Sequence, residues 1–222
     1  MSGIKERYDE IRKTIPHGIA VVAATKQRTI EEIEEAVRAG IEIAGENYVQ
    51  EAISKYKKIE GLKWHMIGHL QRNKVKDATK LFDCIQSVDS VRLAKEIDQQ
   101  CAKLSKIMPV FIEVNIGDEE SKHGAKPDEV PDLIRQIAEL PNLKIEGMMT
   151  MEPYFENPEE ARPYLKRMKQ LFDEVKSCNI PNTDIKILSM GMSNSYQVAI
   201  EEGSNMVRIG TRLFGPRVTK LD

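Results

Sequence analysis

The chain has 222 residues, of which 31% are charged and 41% are hydrophobic, and this composition predicts a globular protein of one large domain or two small ones. Its 33 basic and 35 acidic residues nearly cancel, which gives no electrostatic reason to expect binding to nucleic acid or to an anionic membrane. The start of the chain is charged, and no apolar run approaches the roughly 20 residues of a membrane-spanning helix, so neither a secretory signal nor a membrane anchor is predicted.

Short apolar segments alternate along the chain with segments of helical period. Helices are predicted at residues 5–13, 29–39, 47–58, 90–104, 127–140, 158–176 and 196–202. Thr29 and Glu32 have the spacing of a capping box, and Gly40 is the predicted end of the second helix. The eight predicted strands are residues 20–24, 42–44, 64–67, 83–86, 110–115, 145–148, 186–188 and 206–209.

Eight strands that alternate with helices over 222 residues predict an α/β fold, a (β/α)8 TIM barrel in which residues 1–222 form a single domain. An open doubly wound sheet is the alternative, but the first strand-to-helix turn, residues 25–28, lacks the glycines typical of that fold. Functional groups of such barrels lie at the C-terminal ends of the strands. Polar residues stand at these ends, among them Lys26, Glu46, Asn47, His69, Asn115, Thr150, Ser193, Arg208 and Thr211.

Lys26 follows the apolar segment 19–24 at the end of the first predicted strand. An amine held beside apolar walls is suited to attack an aldehyde and form a Schiff base. The alternative is a strand-end lysine that reaches into solvent, which is common in proteins. Lys26 is therefore a candidate nucleophile.

A candidate phosphate site follows the last two predicted strands. The final strand leads into Gly210 and Thr211 and then into a helical turn, where backbone N–H groups and a hydroxyl suit an anion. The loop at residues 189–195 contains Ser193 and is rich in small residues, so it is predicted to form the other half of the site. Two glycine turns and a serine helix cap are the alternative interpretation.

Arg208 lies in the last predicted strand, and its guanidinium needs an acceptor because it stays charged. One alternative is an ion pair with a carboxylate at the barrel mouth, such as Glu46 or Glu113. The other is a hydrogen bond to a ring nitrogen of a bound cofactor.

No metal site is predicted. His65 and His69 are four residues apart, but a strand followed by a turn does not bring them onto one helical face, and no third ligand is evident. Cys84, Cys101 and Cys178 are odd in number and lack metal-ligand spacing, so they are expected to be free thiols in a reducing cytoplasm.

Seven segments, in order and over nearly the whole chain, resemble the pyridoxal 5′-phosphate homeostasis protein family. They are AATK at 23–26, GENYVQE at 45–51, WHMIGHLQRNK at 64–74, VNIGDEESKHG at 114–124, GMMT at 147–150, LSMGMS at 188–193 and VRIGT at 207–211. The resemblance implies a single-domain TIM barrel of the alanine racemase N-terminal type that binds pyridoxal 5′-phosphate.

The resemblance also implies six cofactor-binding residues, which are Lys26, Asn47, Ser193, Arg208, Gly210 and Thr211. In this family the lysine matching Lys26 holds the cofactor as a Schiff base, and the arginine matching Arg208 faces the pyridine nitrogen. Ser193, Gly210 and Thr211 match phosphate contacts, and Lys122 aligns with a second lysine near the site. The chain departs from the family at Ser195 and Gln197, where acidic residues are frequent, and at His123, where serine is frequent.

The function implied is a cofactor-binding protein that buffers pyridoxal 5′-phosphate and supplies it to apoenzymes, without a catalytic cycle of its own. An amino-acid racemase is the alternative, but racemases of this fold take a second base, a tyrosine, from a further domain, and we expect none here because the chain ends at Asp222. A class I aldolase that uses Lys26 directly is a third hypothesis. An even spread of charge favours a monomer.

Overall fold

A computed structural model describes residues 3–56, 59–119 and 122–216, and in it all eight predicted strands are present as one closed parallel barrel. The strands are β1 (Ala20–Ala24), β2 (Ile43–Glu46), β3 (Lys63–Met66), β4 (Cys84–Val88), β5 (Met108–Val114), β6 (Leu143–Thr150), β7 (Thr183–Ser189) and β8 (Met206–Ile209). Each strand pairs with the next along the chain, and β8 closes onto β1 through pairs such as Val21 with Val207. The barrel prediction is confirmed, and an open sheet is excluded.

Helices surround the barrel and connect its strands. They are α1 (Ile4–Lys13), α2 (Ile30–Ala39), α3 (Val49–Lys55), α4 (Val75–Leu81), α5 (Val91–Lys103), α6 (Val130–Ala138), α7 (Arg162–Ser177), α8 (Tyr196–Glu201) and α9 (Thr211–Phe214). The helix predicted at 47–58 begins later because Tyr48 is in an extended conformation, and its predicted end at Lys58 lies outside the described residues. No helix in the described part of the chain is both long and apolar enough to cross a membrane.

The capping pattern predicted for α2 is present. The Thr29 hydroxyl accepts a hydrogen bond from the Glu32 amide, and the Glu32 carboxylate accepts one from the Thr29 amide at 2.8 Å. Gly40 ends the helix in a left-handed conformation with φ of 116°, which a residue with a Cβ rarely adopts. These signals fix the N-cap of α2, Thr29, three residues after Lys26.

The apolar residues form two groups because side chains of a strand alternate between its faces. Most of them pack between the outer surface of the barrel and the helices. A smaller cluster fills the barrel interior and contains Val22, Ile67, Cys84, Phe111, Met149 and Met206. The same alternation turns polar residues of these strands inward near their C-terminal ends, namely His65, Gln86, Glu113, Ser189 and Arg208.

Candidate functional site

A cavity of about 650 Å³ opens at the C-terminal end of the barrel. All six residues predicted to bind a cofactor line it, together with the segment after β6 that includes Glu152 and Tyr154. Lys26 comes from the end of β1, Asn47 follows β2, Ser193 follows β7, and the others come from the end of β8. The fold therefore brings together residues that are as much as 185 positions apart.

Lys26 is half-buried at the cavity wall, with its amine 5.0 Å from the centre of the Tyr48 ring. Its neighbours are held in place by Lys55, whose amine donates to the carbonyl oxygens of Thr25 at 2.6 Å and Arg28 at 3.3 Å. Within the described residues, Lys26 itself forms no hydrogen bond or ion pair. Its backbone is thus fixed while its amine is available to a ligand.

Glu46 is not the partner of Arg208. Its side chain is fully buried outside the barrel interior, where it pairs with the Lys55 amine at 2.8 Å and accepts a hydrogen bond from the Thr25 hydroxyl. Burial raises the pKa of the Glu46 carboxyl, and Lys55 partly offsets this. Glu46 therefore supports the loop that carries Lys26 and does not face the cavity.

Arg208 is held by the ends of two neighbouring strands. Its guanidinium donates to the carbonyl oxygen and the hydroxyl of Ser189, at 2.9 and 2.8 Å, and to the carbonyl oxygen of Thr150 at 2.6 Å. These bonds use three of the five N–H donors of a guanidinium. Burial lowers the pKa of Arg208, while the carboxylates of Glu152 and Glu113 favour its charged form. Because Arg208 also lines the cavity, it is a fixed positive group on the cavity floor.

A chain of hydrogen bonds runs from Arg208 across the barrel interior. The Ser189 hydroxyl donates to the Gln86 side-chain oxygen at 2.8 Å, and the Gln86 amide donates to Nδ1 of His65 at 2.9 Å. Burial lowers the pKa of His65 to about 3, so His65 is neutral and can accept this bond. His65 is thus a packed, hydrogen-bonded histidine, and the chain of hydrogen bonds holds the guanidinium in one orientation.

Glu113 is a second buried acid, and unlike Glu46 it lies in the barrel interior. One oxygen of its carboxyl has no hydrogen-bond partner among the described residues. Burial, followed by repulsion from Asp89, raises the pKa of Glu113 to about 7, although Arg208 opposes the shift. Glu113 therefore exchanges a proton near neutral pH.

This shift predicts how the stability of the protein depends on pH. The folded state holds the Glu113 proton more tightly than the unfolded state does. The contribution of the protonated carboxyl to the stability of the fold is therefore complete below the unfolded-state pKa, and it is lost as pH rises toward 7. A shift from 4.5 to about 7 corresponds to about 3 kcal/mol. We expect Glu113→Gln to increase the free energy of unfolding by about this amount at pH 8 and to change it little at pH 4. Urea unfolding at both pH values, with exposed Glu10→Gln as the charge control, measures the effect; equal differences at both pH values would contradict it.

The two predicted phosphate loops are in contact. The Gly210 amide donates to the Ser193 hydroxyl at 3.1 Å, and the amides of Leu213 and Phe214 bond back to the Gly210 carbonyl oxygen. In the described structure the amides of Thr211 and Arg212 donate no hydrogen bond. The Gly210 amide is thus already used within the protein, and the donors left for an anion are the Ser193 and Thr211 hydroxyls and the two free amides.

A carboxylate that sequence reasoning missed lies next to the two predicted phosphate loops. Glu152, from the segment after β6, is almost fully buried and accepts a hydrogen bond from the Ser195 hydroxyl, which itself accepts one from the Met192 amide at 3.0 Å. An acidic group therefore contacts position 195 from another loop, although position 195 itself is a serine. The contact joins residues 43 positions apart, so no local sequence pattern could have revealed it.

Lys122 lies at the barrel mouth but does not line the cavity. Its amine pairs with the Glu119 carboxylate at 2.6 Å and donates to the Glu152 carbonyl oxygen at 3.3 Å. These contacts link the loop after β5 to the segment after β6. Lys122 thus helps to position the cavity wall.

The class of protein follows from the fold and from comparison with known families. A model of the alanine racemase N-terminal domain matches residues 1–218. The alanine racemase of Clostridium difficile superposes with a TM-score of 0.82 at 18% identity, over 98% of this chain and 59% of that one, which shows a shared fold. The chain is therefore a barrel of the alanine racemase N-terminal type.

Closer relatives narrow this class to one family. The pyridoxal phosphate homeostasis protein of Aquifex aeolicus is 44% identical over 199 residues, which cover 89% of this chain and 86% of the relative. That of Escherichia coli is 38% identical, over 91% of this chain and 87% of the relative. The chain belongs to the pyridoxal phosphate homeostasis protein family. These relatives are named as homeostasis proteins and not as enzymes.

A solved structure from Synechococcus elongatus, PipY, supports the same placement. Without pyridoxal phosphate it superposes with a TM-score of 0.90 at 32% identity, over 96% of this chain and all of that one. PipY with pyridoxal phosphate bound superposes with a TM-score of 0.87 at 31% identity.

Proposed function

We propose that this protein binds pyridoxal 5′-phosphate through Lys26, stores it in a protected form and releases it to apoenzymes, without a strong catalytic cycle of its own. The observation that carries the proposal is one cavity in which an unpaired lysine, a pair of anion-binding loops and a fixed arginine meet. The cofactor in a solved PipY structure gives independent support. We place this role in the cytoplasm, where the free thiols of Cys84 and Cys101 stay reduced.

The residues present match the chemical groups of the cofactor. The amine of Lys26 is available for a Schiff base with its aldehyde. The hydroxyls of Ser193 and Thr211 and the free amides at the start of α9 suit its phosphate. Arg208 has two donors left for its ring, and Asn47 lines the cavity beside Lys26. When bound, pyridoxal phosphate supplies an electron-accepting ring to amines that react with its aldehyde.

The role of Arg208 favours storage over catalysis. A guanidinium tied to strand carbonyls is a permanent positive charge, and it disfavours a second positive charge on the pyridine nitrogen nearby. An unprotonated ring accepts electrons less readily, so carbanion chemistry is slower. The carboxylates of Glu113 and Glu152 maintain the charge on Arg208.

The covalent step is tested by titrating the purified protein with pyridoxal 5′-phosphate and recording its absorption spectrum. We expect a yellow band that saturates at one cofactor per chain. Borohydride reduction followed by peptide mass mapping should place the adduct on Lys26. If no band forms, or if the adduct lies on another lysine such as Lys122, the proposed anchor is wrong.

The distinction between a carrier and a racemase needs a separate assay. The loaded protein is incubated with L-alanine or L-serine, and D-enantiomers are measured by chiral chromatography. We expect turnover no faster than with free cofactor, and faster turnover would support the enzyme. Delivery is tested by mixing the loaded protein with a cofactor-depleted transaminase and following recovery of transaminase activity. We expect recovery of activity, and we expect light scattering to give the mass of a monomer.

The phosphate loops predict a ligand-dependent effect. Ser193→Ala and Thr211→Val should each weaken pyridoxal 5′-phosphate binding by about tenfold or more, because a hydrogen bond to a charged group contributes about 1.5–3 kcal/mol. Binding of pyridoxal, which lacks the phosphate, should be unchanged. Equilibrium dialysis with the two ligands measures both effects. Equal losses for both ligands would place these residues outside the phosphate site.

A further inference from the structure

Three side chains that no local sequence pattern connects come together at the rim of the barrel. His69 follows β3, Asp89 follows β4, and His123 lies in the loop between β5 and α6. Their ligand atoms all lie within 4.8 Å of one another, and Nδ1 of His69 is 3.9 Å from a carboxylate oxygen of Asp89. None of the three lines the cavity that contains Lys26.

We propose that His69, Asp89 and His123 form a binding site for a divalent transition metal ion, with zinc the best match. Two imidazoles and one carboxylate are a donor set that zinc uses at sites with an open coordination position. Magnesium and calcium prefer oxygen ligands alone, so the two histidines select against them. This proposal replaces the expectation from the sequence that the protein has no metal site.

The protein positions both histidines through adjacent glycines. A Cβ on Gly68 would lie 2.5 Å from the carbonyl oxygen of Asn47, and a Cβ on Gly124 would lie 2.5 Å from the amide nitrogen of Asn115. Gly124 also has φ of 115°, which favours glycine. These close backbone contacts fix the positions at the barrel rim from which the side chains of His69 and His123 project.

The same loop is held from within by Asn115. Its side-chain amide donates to the carbonyl oxygens of Glu119 at 2.9 Å and Lys122 at 3.4 Å. His123 is therefore the end of a braced turn and not a freely placed surface residue.

Coordination of one ion by all three residues requires a modest movement of their side chains. The imidazole rings are stacked, with their centres 3.6 Å apart and their planes at 12°, so their lone pairs do not yet converge on one point. Ligands of tetrahedral zinc, with metal–ligand distances of about 2.0–2.1 Å, are about 3.4 Å apart. The His69 side chain is 37% exposed, which leaves space on its solvent side for the ring to rotate toward such an arrangement.

The site borders a second cavity, of about 340 Å³, which is lined by both histidines and by Asn47 and Lys74. Asn47 also lines the larger cavity, so the two are neighbours at the barrel mouth. An ion held by three protein ligands keeps at least one position for water or for an oxygen of a small molecule in this cavity. The inference does not depend on the proposed binding of pyridoxal 5′-phosphate.

The test is a titration of the whole 222-residue chain with zinc by calorimetry, without added pyridoxal phosphate and in a Cys178→Ser background that removes the exposed thiol. We expect one equivalent to bind, and cobalt in its place to give the visible absorption of a low-coordinate site. His123→Ser and Asp89→Asn should each weaken binding by more than about tenfold, because even the loss of a residue that only hydrogen-bonds to a metal ligand changes affinity by about 10- to 100-fold. His17→Ser, at an exposed histidine elsewhere, is the matched control and should bind normally.

A second readout guards against misfolded variants. Zinc should raise the melting temperature of the wild type and of His17→Ser, but not that of His123→Ser, whose melting temperature without metal should equal that of the wild type. Failure of the wild type to bind zinc, or equal binding by His123→Ser, would overturn the site. Lys26→Ala should bind zinc normally, so a failure of the metal site and a failure of the cofactor site are distinguishable.

Discussion

Replacing Lys26 by alanine should abolish the yellow band with pyridoxal 5′-phosphate and reduce the borohydride-fixed cofactor from one per chain to background. No other described lysine lines the large cavity, so no other amine there can replace it. Affinity should fall by at least about tenfold, or about 1.4 kcal/mol, because only the phosphate and ring contacts remain. Absorption titration, reduction and mass spectrometry measure these changes.

The matched control is Lys122→Ala, which removes a nearby lysine that is paired with Glu119 and lies outside the cavity lining. It should retain the band and the stoichiometry of the wild type. A band of unchanged intensity in Lys26→Ala would show that another residue forms the covalent bond.

Arg208→Leu should lower the free energy of unfolding by about 3–5 kcal/mol, the range found when one member of a buried charged network is removed. The change leaves the carbonyl oxygens of Ser189 and Thr150 and the Ser189 hydroxyl without their donor. It also removes a positive charge that interacts with the buried carboxylates of Glu113 and Glu152. Urea unfolding followed by circular dichroism gives the difference.

Arg92→Leu, at an exposed position of α5, controls for the loss of an arginine from the surface. It should change the free energy of unfolding by less than about 0.5 kcal/mol. If Arg208→Leu were equally mild, the guanidinium would not organise the barrel interior as we describe.

The barrel could be predicted from the sequence because its strands and helices differ in period and have strong local end signals. The strand 20–24 has the same bounds in the prediction and the structure, and the Thr29, Glu32 and Gly40 signals describe both ends of α2. Where the local end signals in the sequence are weaker, the predicted ends of other strands are wrong. Strand β5 begins at Met108, before its predicted start at 110, and β2 extends to Glu46 because Gly45 and Glu46 continue the pairing with β3.

The cavity residues could be predicted, whereas their partners could not. Position at a strand end suggested Lys26, Ser193 and Arg208, and the resemblance implied their roles. The direction of a side chain depends on strand alternation and on its neighbours: Glu46 turns outward to Lys55 because it follows the inward-facing Gly45 by one residue. The contact of Glu152 with Ser195 and the meeting of His69 with His123 depend on loops from different strands, which no spacing in the sequence reveals.

The closure of β8 onto β1 has a consequence for synthesis of the protein. Lys26 follows the first strand to leave the ribosome, whereas Gly210 follows the last. The ends of these two strands meet only in the folded barrel, where a Cβ on Gly210 would lie 3.4 Å from the Cβ of Ala24. A nascent chain therefore carries Lys26, the proposed nucleophile, long before it carries the residues proposed to bind phosphate. If the cofactor binds as proposed, its selective capture has to await the synthesis of β8, and a ligand that contacts the ends of both β1 and β8 would hold the first and last strands of the barrel together.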